Sequence, residues 1–258
     1  MESKNRLHVF LDANVFIRGT TLPRFPYEVL RHAAKGDFQP IASPIVLESA
    51  RLYIGQEYFV LNHGITLNEF ALPDIAPEPN ALVYIGNFHH YPNVDAMRFF
   101  IQEMWGAILR ELPDAHLYLV GANPTQEIRE MADGAHFTVT GRVADIRPLI
   151  QRASIGIAPL VSGAGLRGKV MEYAALRRTF VATSIAMSDL VFREGVDYLL
   201  ADQAEDFVRR VVTLLKDPGL ARKMGESAYD TVCRNYDNHR LVDYMDRLYA
   251  HLESGSAC

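Results

Sequence analysis

The residues best equipped for chemistry lie close together, in APLVSGAGLRGKVMEYAALRRTFVAT, Ala158 to Thr183. Three glycines, Gly163, Gly165 and Gly168, precede an apolar-periodic run that carries Lys169 and Glu172. Glycines let a backbone bend and let a bulky anion approach its amides. The start of the following helix would add unpaired N–H donors and a partial positive charge. Lys169, in the first turn of a helix predicted over 167–177, reaches a diphosphate as a point charge. Glu172, three residues on, shares roughly the same helix face. A carboxylate is repelled from a phosphate but accepts hydrogen bonds from sugar hydroxyls, such as those of a ribose. The alternative is a flexible strand-to-helix turn followed by a solvated Lys/Glu pair, and spacing alone leaves both open. The loop has neither the GK[ST] of a Walker motif nor a GxGxxG fingerprint.

Strands and helices alternate around this loop, which predicts an α/β fold with a mainly parallel, doubly wound sheet. ALVYIG, AHLYLVG, HFTVTG, SIGIAPL and TFVAT read as strands, with a shorter one near YLLAD. PNVDAMRFFIQEMWGAILRELP reads as one long amphipathic helix, TQEIREMADG and ADIRPLIQRA as shorter ones, and three helical runs follow up to about Leu252. Upstream, LHVFLDANVF begins as a short buried strand, FQPIASP reads as a second, YEVLRHAAKG and PIVLESARLYIG read as helices, and EYFVLNHG as a third strand. Between the two regions, Pro73, Pro77 and Pro79 mark a linker at 63–79. The expected division is a small lobe at 1–62, that linker, and a domain at 80–258 long enough to be a complete doubly wound unit. A 62-residue lobe is marginal alone.

The 258 residues are 49% hydrophobic and 22% charged, with a net charge of −5. That balance suits a globular core and gives no support to a nucleic-acid partner, which usually brings a basic surplus. The two cysteines, Cys233 and Cys258, form neither a disulfide framework nor a CxxC metal pair. No run approaches the length of a membrane span. The expected setting is the cytoplasm, or peripheral attachment at the inner face of a membrane.

From Tyr58 to Leu252 the chain resembles the C-terminal, donor-binding half of family-4 glycosyltransferases of the GT-B architecture. VLNHGITLNEF, YIGNFHHYPNVDAMRFF, AHLYLVGANPTQEI, VTGRVADIRPLIQRASIGIAPL and GAGLRGKVMEYAALRRTFVATSIAMSDL occur in the family's order. The resemblance implies a Rossmann-like domain that binds a UDP- or GDP-sugar without a required cofactor. It implies transfer of the sugar to a saccharide or lipid-linked acceptor, with retention of configuration and no essential metal. It makes Glu172 the ribose ligand, Lys169 a diphosphate contact, and Gly163 and Gly165 the backbone cradle. Arg142 and Val143 fall where loops approach the base, and Gly86 opens a loop at the cleft. Two positions depart from the pattern. Ala164 stands where an acid often faces the sugar, and Asn87 where an arginine often follows the glycine, leaving Lys169 and Arg167 more of the phosphate charge. His89 and His90 in that loop read either as exposed loop residues or as catalytic ones.

Residues 7–54 resemble the first part of PIN-domain nucleases, with Asp12 after the first strand and Glu48 as a second acid. Such enzymes gather carboxylates around divalent metals; Asp12 as a turn cap is the plainer reading. Three functions therefore follow as expectations. The first is a glycosyltransferase whose acceptor domain is mostly replaced, with a partner chain as one source of the missing half. The second is a catalytically silent nucleotide-binding or interaction protein. The third is a metal-dependent ribonuclease using Asp12 and Glu48.

Overall fold

The computed structural model describes residues 7–10, 38–41, 64–73, 75–163, 168–188 and 190–240. The expected helices at 27–36 and 44–55, the strand at 57–64 apart from Gly64, and the last helical run beyond Arg240 lie outside these residues. So do Asp12, Glu48, Ala164, Gly165 and Arg167. The chain divides into two compact units, one formed by Met1–Gly64 with Asn238–Cys258, the other by Ile65–Asp237. In the first, β1 (Leu7–Phe10) and β2 (Phe38–Ile41) pair in parallel, as their apolar residues predict.

The second unit holds a six-stranded parallel sheet. Its strands are β3 (Ala81–Ile85), β4 (His116–Val120), β5 (Phe137–Gly141), β6 (Ile155–Ala158), β7 (Phe180–Ala182) and β8 (Leu199–Leu200). They lie in the order β5-β4-β3-β6-β7-β8. The chain lays down β3, β4 and β5 in one direction, then returns to the other side of β3 and continues outward. Ligands of open α/β sheets bind beyond the carboxyl ends of the strands at such a reversal, here between β3 and β6. Both strands are buried along their whole length, as expected of strands covered on two faces.

Most helices form where the periodicity places them. α1 (Tyr91–Phe100) has Pro92 in its first turn, runs through a π turn (Ile101–Trp105) and continues as α2 (Gly106–Glu111). It buries Met97, Phe100 and Met104, and the Phe100 ring meets Phe207 edge-on at 6.0 Å. The π turn is not visible in the pattern, because its residues keep the same apolar face. α3 (Gln126–Glu130) is shorter than predicted. The Asp133 carboxylate accepts from the backbone N–H groups of Ala135, His136 and Phe137, so the chain turns into β5 instead of continuing the helix. α4 (Arg147–Arg152) and α5 (Gly168–Ala175) follow expectation. α6 (Ser184–Met187) is an unpredicted single turn capped by Thr183. α7 (Ala204–Lys216) and α8 (Pro218–Asn235) complete the unit. Among the described residues, no helix is long and apolar enough to cross a membrane.

The proline-rich segment lies against this unit. Glu78 N–H donates to the Arg152 carbonyl, Gln151 Nε2 to the Pro73 carbonyl, and Ile65 N–H to the Tyr236 carbonyl. Pro73, which cannot donate to a ladder, still offers its carbonyl, while Glu78 and Ile65 use their N–H groups.

Two buried polar residues fix the layers. Tyr173 projects from α5 between β3 and β6. The strands are in register at Leu82↔Ile155 and Val83↔Gly156. A continued parallel ladder would next join Ile85 N–H to the Ile157 carbonyl. The Tyr173 hydroxyl stands in that place. It accepts from Ile85 N–H at 3.1 Å and donates to the Ile157 carbonyl at 3.2 Å. The ladder is bridged by a side chain and the strands part. Gly156 makes room: a Cβ there would lie 2.4 Å from the Tyr173 ring. At the far edge, the buried Asp197 carboxylate accepts from the Arg193 guanidinium and backbone, Ser227 and Thr231, tying β8 to α8.

Tyr173→Phe should leave Ile85 N–H and the Ile157 carbonyl without their bridge, at a cost of about 2 kcal/mol or more. Urea unfolding checks this; a loss below about 0.5 kcal/mol contradicts it. Burial alone would raise the Asp197 pKa, but the four donors outweigh it and hold the carboxyl below its usual range. Its proton-linked stabilisation is therefore complete above about pH 4, the unfolded value. It is lost as pH falls through the lower folded value. The stability difference between the wild type and Asp197→Asn should shrink between pH 5 and pH 2.5; a constant difference contradicts the assignment.

Candidate functional site

The parting of β3 and β6 opens a cavity of about 670 Å³ at their carboxyl ends. The loop after β3 contributes Gly86, Asn87 and His90; the loop after β4, Gly121 and Ala122; the loop after β6, Leu160 and Gly163. Pro92 and Asn93 from the start of α1, and Lys169 and Glu172 from α5, complete the chemistry of the wall. Three loops that are far apart in sequence meet here because the sheet reverses at this point.

Hydrogen bonds hold the first two loops against each other. Gly86 N–H donates to the Val120 carbonyl and Phe88 N–H to the Ala122 carbonyl. The Asn87 side-chain oxygen accepts from His89 N–H and from Asn123 Nδ2. The third loop approaches α1 closely. Gly163 has φ +104°, and a Cβ there would lie 2.9 Å from Pro92 Cγ, so the position excludes a side chain on both conformational and steric grounds.

Lys169 is anchored inside the wall. Its Nζ donates to the Tyr84 hydroxyl at 2.6 Å and to Asn93 Oδ1 at 2.9 Å. It also sits 3.9 Å from the centroid of the Tyr84 ring, within range of a cation–π attraction. Tyr84 is fully buried, and burial, with Tyr173 nearby, raises its pKa well above the ordinary phenol value. It stays protonated and donates to Asn93 Oδ1 at 2.7 Å. Glu172 is half-buried. Burial raises its pKa, and the Lys169 charge works in the opposite direction. A desolvated carboxyl of this kind gains from a ligand that brings hydroxyl donors.

The cavity brings together Gly86, Asn87, Gly163, Lys169 and Glu172 from the set expected by sequence. His90 also lines it, whereas His89 does not; both are exposed, and their rings meet edge-on at 6.3 Å. Arg142 is exposed and Val143 is half-buried against the core. Neither lines the cavity; Ile146, three residues on from Val143, does. Tyr84, Asn93 and Tyr173 were not among the expected residues. Tyr84 and Tyr173 read as ordinary core positions, and Asn93 as a residue of a helix start. Among the described residues, no group of three or more His, Cys, Asp or Glu side chains converges as a metal site.

Comparison with known proteins bears on this arrangement. A model of the family "Glycosyl transferases group 1" matches residues 79–217, the stretch that builds every wall of the cavity. EpsD of Bacillus subtilis (strain 168) is 27% identical over 152 residues, which are 56% of this chain and 39% of EpsD. A 44.6 kDa protein of the cps region of Klebsiella pneumoniae is 20% identical over 170 residues, 62% of this chain and 43% of that protein. The chain thus spans about two-fifths of the length of these curated relatives. Among solved structures, Anabaena HepE in complex with UDP and glucose superposes with a TM-score of 0.69 at 12% identity, covering 95% of this chain and 71% of HepE. TarM of S. aureus, in complex with fondaparinux, α-GlcNAc-glycerol and UDP, gives 0.69 at 14% identity, covering 89% and 47%. These likenesses show a shared fold, that of the GT-B glycosyltransferases. With the family model matching more than half of its residues, this chain belongs to the group 1 glycosyl transferases.

Proposed function

We propose that the cavity between β3 and β6 binds the nucleoside-diphosphate end of a sugar donor, a UDP- or GDP-hexose. On this reading the chain transfers the sugar to a saccharide or lipid-linked acceptor. The observation that carries the reading is the meeting of Gly86, Gly163, Lys169 and Glu172 at one crevice. The loop amides and the Lys169 ammonium face the diphosphate, and the Glu172 carboxylate accepts from the ribose hydroxyls. UDP in the HepE and TarM complexes supports a nucleotide ligand for this fold. In the transfer, the bond from the sugar C1 to the diphosphate oxygen breaks, and a bond from C1 to the acceptor hydroxyl oxygen forms. The hydroxyl proton leaves with the departing phosphate. Negative charge develops on the diphosphate, where a fixed cation and aimed amides stabilise it most.

The unit Ile65–Asp237 is then the donor-binding domain. Acceptor contacts need further residues, and a partner chain is one source of them. On the same reading His90, which lines the cavity, meets the transferred sugar or the phosphate beside it.

Calorimetric titration with UDP and GDP tests the nucleotide reading. At least one should bind at millimolar concentration or below, and binding of neither by the folded protein contradicts it. Glu172→Gln should weaken the bound nucleotide roughly tenfold or more, the range of a hydrogen bond to a charged group, with little change in Tm. The 2′,3′-dideoxy nucleotide should bind the wild type as weakly as Glu172→Gln binds the natural one. Equal discrimination by both proteins contradicts the ribose role. Release of nucleoside diphosphate from a UDP- or GDP-hexose in the presence of saccharide acceptors separates transfer from binding alone.

A further inference from the structure

Lys169 is the centre of a small polar network whose other members come from different elements. Asn93, in the first turn of α1, makes three bonds with its side-chain amide. Its Nδ2 donates to the Asn87 carbonyl at 2.9 Å. Its Oδ1 accepts from the Tyr84 hydroxyl at 2.7 Å and from Lys169 Nζ at 2.9 Å. Donors on one side and an acceptor on the other fix which way the amide faces. The group is also sterically held, since a Cβ at Gly86 would lie 2.9 Å from Asn93 Cγ. One side chain thus joins β3, the loop after β3, α1 and α5.

We propose that Asn93 is a positioning residue: its side-chain carbonyl, together with the Tyr84 hydroxyl, holds the Lys169 ammonium at the cavity wall, aimed at the donor diphosphate. This rests on the nucleotide-binding reading above. The physical advantage lies in the chemistry of the two acceptors. A lysine has a flexible four-carbon stem, and ordering it costs roughly 1.5–2 kcal/mol of side-chain entropy. A carboxylate partner would order it but cancel its charge. An amide oxygen and a phenol order it in advance without themselves neutralising it. The face of the Tyr84 ring adds attraction without neutralisation. Preorganised charge of this kind stabilises a developing anion without reorganising at the moment of reaction.

Two substitutions separate positioning from packing. Asn93→Ala removes the acceptor. Asn93→Asp keeps the shape and the acceptor but sets a negative charge beside Lys169. NMR titration of the full chain would follow whichever of UDP and GDP the wild type binds, and its parent nucleoside. Asn93→Ala should weaken the diphosphate about threefold to tenfold, and Asn93→Asp more than tenfold. Nucleoside affinity should change by less than about twofold in each. Because Asn93 acts through Lys169, Asn93→Ala placed on Lys169→Met should add no further loss. Parallel losses of nucleoside and diphosphate overturn the proposal. So does an undiminished Asn93→Ala effect without Lys169, or an Asn93→Asp variant that binds diphosphate as tightly as the wild type. If one variant fails to fold by circular dichroism, the other decides. A wild type that binds neither UDP nor GDP would instead refute the nucleotide reading itself, an outcome visible before any variant is made.

Discussion

The site depends on one hydroxyl group. Tyr173 Oη occupies the position where β3 and β6 would otherwise exchange their next ladder bond. The backbone groups remain satisfied, which a buried sheet requires, but the strands are no longer in direct contact. Parting them at their carboxyl ends, where the strand order reverses, creates the crevice. The residue that parts them belongs to α5, four positions after Lys169 and next to Glu172. The wedge that opens the cavity therefore also sets the helix that furnishes its cation and its acid. Gly156 is the complementary requirement, because only the absence of a Cβ admits the ring.

The second constraint is electrostatic. Among the described residues, the cavity wall has one lysine and one carboxylate three residues apart, and their settings differ. Lys169 is held by neutral acceptors from β3 and α1, on the inner side of the wall. Glu172 is partly withdrawn from water, and burial opposes its ionisation while the lysine favours it. An anion beside Lys169 and a row of hydroxyls beside Glu172 satisfy both groups at once. A nucleoside diphosphate offers that combination. The Gly163–Pro92 contact, which leaves no space for a Cβ, keeps the opposite loop close enough for its backbone to take part.

Much of this was legible in the sequence, and what was not has identifiable causes. Alternating strands and helices indicate the parallel sheet. The glycine loop with Lys169 and Glu172 marks the start of α5 as chemical, because glycine clusters and a charged first turn are local signals. Tyr84, Asn93 and Tyr173 gave no such signal. Their importance comes from pairing across 76 to 88 residues of chain, and a tyrosine in an apolar run looks like core whether or not its hydroxyl bridges two strands. Arg142 and Val143 were expected at the site through resemblance alone. The chain after β5 instead leaves Arg142 exposed and brings Ile146 to the cavity. α3 ends early because Asp133 captures three backbone N–H groups, a competition that helical periodicity does not reveal.

On the reading proposed above, the crevice opened by Tyr173 receives a nucleoside diphosphate with its phosphates on Lys169 and its ribose on Glu172. A crystal structure of the chain grown with UDP or GDP tests this most directly. Phosphate density should lie within hydrogen-bonding distance of Lys169 Nζ and the backbone at Gly163, and ribose hydroxyls on the Glu172 carboxylate. Nucleotide bound elsewhere on the protein, or bound in the crevice with its phosphates turned away from Lys169, would contradict it.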